Sequence, residues 1–189
     1  MNDPFCPGEP GPTIEVWTHK GLVTLYLLFV MKPASRKVHF AGCTVSPDEA
    51  WVKQIARNLT DSEDGFLNGS RYILMDRDTK FSAAFRRILS DAEVKPVLLP
   101  PHSPNLNANL ERFHRSVKEE CLDRMIFFGE DSVRKAVKSY VQHFHEERNH
   151  QGLENKITEP GPEVGTATGE IKCNERLGGL LNYYYCEAA

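Results

Sequence analysis

Residues 21–31 read Gly-Leu-Val-Thr-Leu-Tyr-Leu-Leu-Phe-Val-Met, a run that is nearly all apolar. A strand with one face in water alternates apolar and polar residues, whereas a continuous apolar run marks a central strand covered on both faces. Thr13 to Trp17 before it reads as a strand, with His19-Lys20-Gly21 as the turn between them. Lys37 to Val45 reads as a third strand. The connections are too short for crossovers, so these three form an antiparallel meander.

The remaining elements follow in order. Ser46-Pro47-Asp48-Glu49 predicts a helix start, with Ser at the N-cap, Pro at N1 and Glu at N3. Trp51, Val52, Ile55, Ala56 and Leu59 form its buried stripe. Tyr72-Ile73-Leu74-Met75 reads as a buried strand ending at Asp76. A helix over 79–92 carries Phe81, Phe85 and Leu89 on one face, with Asp78 in its N-cap or first turn, and Lys95 to Leu99 is a fifth strand. After a Pro-rich loop come two long helices, Asn107–Glu120 and about Asp131–Arg148. The order β-β-β-α-β-α-β-α-α predicts an α/β protein with a five-stranded mixed sheet and helices on both faces, the ribonuclease H-like arrangement. Residues 1–12 are read as an irregular lead-in, 13–153 as the core domain, and 154–189 as a Gly/Pro-rich tail with a short docking segment.

Composition sets wide limits. With 189 residues, 40% hydrophobic and 26% charged, the chain has the balance of a soluble globular protein. A net charge of −3 does not advertise nucleic-acid binding, but from Arg71 to Lys118 nine Lys/Arg face five Asp/Glu. That local excess suits a phosphodiester substrate and equally fits a solvated charged face. The five cysteines form no CxxC pair, so free or buried thiols in a reducing compartment are expected. His143 and His145 lie about 200° apart on a helix and do not easily share a metal. No stretch has the form of a signal peptide or a membrane span, and no membrane partner is expected. Trp17 and Trp51 are expected in the core, His102 and His114 at the surface, and Tyr183, Tyr184 and Tyr185 packed against the domain or a second subunit, with stacking on bases as the alternative.

Two carboxylates carry the chemistry. Asp76 closes a buried strand, and Glu111, 35 positions later, sits on a helix. Carboxylate oxygens from a strand end and a helix are the hard donors that a divalent cation needs for phosphoryl transfer. Leu106, Leu110, Phe113, Val117 and Cys121 form that helix's core stripe, and Glu111, Arg115 and Lys118 share a second stripe beside it. Taken singly, Glu111 also reads as a solvated helical glutamate and Asp76 as a turn residue.

Asp76-Arg77-Asp78-Thr79-Lys80-Phe81, Ser103-Pro104-Asn105-Leu106-Asn107-Ala108, Glu111-Arg112-Phe113, Lys118-Glu119-Glu120 and Glu147-Arg148-Asn149-His150-Gln151-Gly152-Leu153, in this order, resemble the integrase catalytic core of bacterial transposases, in the retroviral integrase superfamily. The resemblance implies metal-dependent DNA strand transfer with Mg²⁺ or Mn²⁺, and Asp76 and Glu111 as the second and third members of an acidic triad. It implies DNA contacts from Lys118, Arg115, Arg112 and Asn105, DNA ends and target as partners, a homo-oligomer, and a cytoplasmic, nucleoid-associated location. One departure matters: Pro10 stands where the family's first triad Asp is expected, three residues before Thr13. Glu9 is one residue away and Glu15 five, both odd offsets that put a strand side chain on the other face. The expectation is therefore a weakened or inactive core, N-terminally truncated and lacking the helix-turn-helix region that reads transposon ends. The alternative is a non-catalytic DNA-binding or self-association remnant. Leu74-Met75-Asp76-Arg77-Asp78 also imitates the strand and DxD of a haloacid dehalogenase-type phosphatase, but Lys80 stands where a threonine is required.

Overall fold

A computed structural model describes residues 11–75, 81–100, 108–162, 164 and 168–187, together with the backbone of 6–7. The central strand forms as its composition dictates. β2 (Thr13–Thr18), β3 (Gly21–Lys32) and β4 (Lys37–Thr44) are an antiparallel meander, with Thr13 opposite Tyr26 and Tyr26 opposite Thr44. A two-residue strand, β1 (Cys6–Pro7), pairs with Met31 and Val30 further along the same edge of β3. Leu25, Leu27, Phe29 and Met31 point into one core, and Leu28 and Val30 into the other. That period of two explains why the run has no polar alternation: both faces are dry.

The first core is closed by α3 (Ala108–Glu120) and α4 (Gly129–Glu146), through Leu110, Phe113, Val117, Val137, Tyr140 and Phe144. The second is closed by α1 (Glu49–Leu59) and α2 (Ala83–Asp91), with β5 (Tyr72–Met75) beneath. A register shift at Leu28/Phe29 leaves Ala41 as an extra residue on β4, and Gly42 there adopts φ +153°. A Cβ at Gly42 would lie 3.2 Å from Ile55 Cδ1, so the bulge lets α1 approach the sheet closely. β5 pairs in parallel with β6 (Lys95–Leu98) across the α2 crossover.

The ribonuclease H-like α/β class stands, with helices on both faces. Among the described residues, however, the five expected strands fall into an antiparallel sheet and a separate parallel pair. Two helix starts differ from expectation. Asp48, not Ser46, caps α1 by accepting from Trp51 N at 2.8 Å; Ser46 is held outside the helix by its own turn with Thr44. α2 begins at Ala83, where the Ser82 hydroxyl accepts from Phe85 N, whereas Asp78, expected to cap it, lies outside the described residues. Trp17 is a correction too: it is 52% exposed, because only the opposite face of β2 meets the core, through Val16.

From Glu170 the expected tail forms a hairpin, β7 (Glu170–Arg176) and β8 (Leu181–Glu187), turned through Gly178 and Gly179 at positive φ. It docks by burying Leu181 in the first core and by Arg176, which donates to Glu147 at 2.8 Å, Gln142 at 2.9 Å and Glu146 at 3.2 Å.

Candidate functional site

The helix that carries Glu111 is fixed by its apolar stripe. Leu110, Phe113, Val117 and Cys121 are buried, and Phe113 packs edge-on between Phe29 and Phe144 at ring separations of 5.0 and 4.9 Å. This locks the rotation of α3. Glu111 is held half-buried in its first turn, where unpaired backbone N–H groups favour a carboxylate. Arg115 and Lys118 follow on the same stripe, both exposed. Arg112 does not join them: it lies about 100° round the helix, against a cavity with Arg36 and Arg148.

Asp76 and Asn105 lie outside the described residues, as does Pro10. Their neighbours are well anchored. Met75, fully buried, ends β5, and its carbonyl accepts from Leu99 N at 2.8 Å, so the parallel pairing runs to the residue before Asp76. On either side of position 10, Pro7 pairs with Val30 and the Pro12 carbonyl accepts from Leu27 N at 3.2 Å. Among the described residues no three His, Cys, Asp or Glu side chains come together as a metal site. The chemistry of the proposed donors, carboxylates without a soft ligand, suits Mg²⁺ or Mn²⁺.

Several motif residues hold structure. Tyr140 donates to Glu120 at 2.8 Å, and Arg148 donates to Tyr140 at 3.0 Å and pairs with Glu120. Burial, and then the Glu120 charge, push the Tyr140 hydroxyl far above its ordinary range. This partly buried triangle joins Lys118-Glu119-Glu120 to the segment after α4. Burial alone would raise the Glu147 carboxyl, but hydrogen bonds from Arg176 and from His143, 2.6 Å away, outweigh it and hold it low. His145 is also committed: its Nε2 accepts from Val38 N at 2.9 Å, and burial lowers its pKa to about 4. His114, expected at the surface, is half-buried against Phe29 and Phe113, because it faces the sheet beside the core stripe. Sequence reading missed the Arg36–Arg112–Arg148 grouping and the partners of Arg176. Both arise from residues far apart in the chain.

The fold is of the ribonuclease H-like α/β class, and α3 holds Glu111 half-buried in its first turn. Residues 92–157, which hold β6, α3, α4 and the motif after α4, match the family model described as integrase core domain. The fold is similar to the catalytic core of the HTLV-2 integrase in complex with magnesium, with TM-score 0.58 and 13% identity over 83% of this chain and 93% of that one. It is also similar to the BIV integrase catalytic core, with TM-score 0.55 and 12% identity over 80% and 89% of the two chains. A chain in the simian T-cell lymphotropic virus intasome, in complex with a PP2A regulatory subunit, matches with TM-score 0.55 and 11% identity over 98% of this chain and 67% of that one. No curated protein sequence matches. The likeness to an integrase core domain therefore rests on residues 92–157 in sequence and on the fold of the chain in structure.

Proposed function

We propose that this domain is a DNA strand-transfer core of the integrase/transposase class whose activity is weakened or lost at its first acidic position. The observation that carries the reading is Glu111 held half-buried in the first turn of α3, inside the segment that matches the integrase core model, with Arg115 and Lys118 exposed on the same stripe. In this reading Asp76 and Glu111 hold Mg²⁺ or Mn²⁺, and the metal would activate the attacking oxygen and stabilise the leaving one. Lys118, Arg115, Arg112 and Asn105 hold DNA phosphates, which orients the scissile bond toward Glu111. The magnesium-bound HTLV-2 core supports the choice of cation. A nucleoid-associated, cytoplasmic location follows from a DNA substrate.

Pro10 favours a second reading, a non-catalytic remnant that keeps DNA contacts or self-association. Proline supplies no carboxylate in place of the first metal ligand. Trp17, Leu22 and Phe128 are neighbours through backbone pairing and are 52, 47 and 71% exposed, with Ile126 at 75%. Such an apolar patch suits a second copy of the chain, and the HTLV-2 core is known in dimeric and trimeric forms. Strand-transfer and nicking assays with Mn²⁺ separate the readings. Product that disappears with Asp76→Asn and with Glu111→Gln supports the enzyme. Absence of product together with salt-sensitive DNA binding supports the remnant.

A further inference from the structure

We propose that the cavity between the β3–β4 turn, α3 and the segment after α4 is an anion site that takes a phosphate group. It goes beyond the strand-transfer reading, since its α3 residues lie about 100–160° round the helix from Glu111 and it needs no metal. The cavity measures about 320 Å³ and is lined by Arg36, Arg112 and Arg148, with Asn109, Ser116, Asn149 and Gln151 between them; among the described residues no Asp or Glu lines it. Three guanidiniums, three amides and a hydroxyl form a donor-rich wall, and Arg matches phosphate geometry in particular.

Arg36 is the central residue. It sits at φ +60° in the β3–β4 turn, a conformation that Gly or Asn adopts at no steric cost. Its Nη1 is buried without a hydrogen-bond partner, and its Nη2 packs so close to Gly152 that a Cβ there would lie 3.3 Å away. Burial and then the Arg112 charge lower its pKa, so the two guanidiniums share a field that is not neutralised. The same field reaches His150: burial, with Arg148 and Arg36, lowers it against the hydrogen bond to the Phe144 carbonyl. Arg148 has Glu120 as a counter-charge, but among the described residues Arg36 and Arg112 form no ion pair. A half-buried guanidinium with one shielded, unpartnered nitrogen, held beside a second guanidinium, is costly until an anion joins them.

The test uses the full chain. Thermal unfolding is followed in chloride and in tens of millimolar inorganic phosphate at matched ionic strength, and again with a short DNA duplex lacking terminal phosphates. Arg36→Asn keeps the left-handed turn and removes the guanidinium; Arg112→Gln, at an exposed position, guards against a folding defect in the first variant. Phosphate should raise the wild-type melting temperature by several degrees, and each variant should lose at least half of that rise. If the source is a DNA backbone phosphate, the duplex gives the same protection, and Arg36→Asn lowers the slope of log K against log salt by about 1. If it is a free phosphate, DNA binding is unchanged in Arg36→Asn while the phosphate effect is lost. Equal protection of wild type and both variants by both probes, or no protection by either, overturns the proposal.

Discussion

Acidification should loosen the chain through His145 before its carboxylates titrate. The Val38 N–H donates to His145 Nε2 at 2.9 Å and so ties β4 to the end of α4. The residue is 7% exposed, and only the neutral ring can accept this bond. Burial is the main cause of its pKa falling from 6.5 to about 4; Lys37 and His150 act the same way, and Glu159 opposes. Because the folded value lies below the unfolded one, this stabilisation is complete above about pH 6.5 and is lost as the pH falls toward 4. The gap corresponds to about 3 kcal/mol, of which about 2–3 kcal/mol is gone by pH 4.5. In a chain of this size that lowers Tm by about 4–12 °C. His39 and His150, also lowered chiefly by burial, add to the acid loss, so a matched variant is needed. His145→Gln keeps an acceptor for Val38 without a titration. Urea unfolding at pH 7 and pH 4.5 should show the wild type losing about 2–3 kcal/mol more than the variant. Parallel losses in the two proteins would refute the reasoning.

Three further outcomes follow from packing. Arg176→Ala should cost about 3 kcal/mol in chemical denaturation, because it strips the buried Glu147 of its main counter-charge and frees the hairpin; tyrosine fluorescence of β8 should change in step. Phe113→Ala, which empties the space between Phe29 and Phe144, should cost about 3–5 kcal/mol by the same measurement. Gly11→Ala should cost about 2–3 kcal/mol in thermal unfolding, since its Cβ would fall 1.7 Å from the Leu27 carbonyl oxygen and drive the chain off β3.

What sequence showed of this fold depended on how local the cause was. The run 21–31 could be read because dry packing on both faces leaves a mark at every residue, and the meander followed from its short connections. The α3 stripe was legible for the same reason: 110, 113, 117 and 121 recur at helical spacing. Ser46 and Asp48 were not separable by propensity, since each is a good cap and the choice rests on the Thr44 turn. The C-terminal hairpin had a readable signal, two seven-residue runs flanking Leu177-Gly178-Gly179-Leu180, which the Gly content of the region obscured. Trp17 was misplaced because residue type suggested burial while strand register put it on the outer face. In the candidate site, the Glu111–Arg115–Lys118 stripe could be read from spacing alone. The Arg36–Arg112 juxtaposition had no such signal, because it exists only once the β3–β4 turn lies against α3.

The most direct test of the account is Mn²⁺ binding by the full chain, followed by calorimetry and by the electron paramagnetic resonance of the free ion. The account predicts weak binding by the wild type, weakened further by about tenfold or more, ~1.4 kcal/mol, in Asp76→Asn and in Glu111→Gln. Pro10→Asp should tighten it by about the same factor, and Glu111→Gln in that background should remove the gain. Affinity that stays the same across Asp76→Asn, Glu111→Gln and Pro10→Asp would contradict the claim that these three positions frame one metal site.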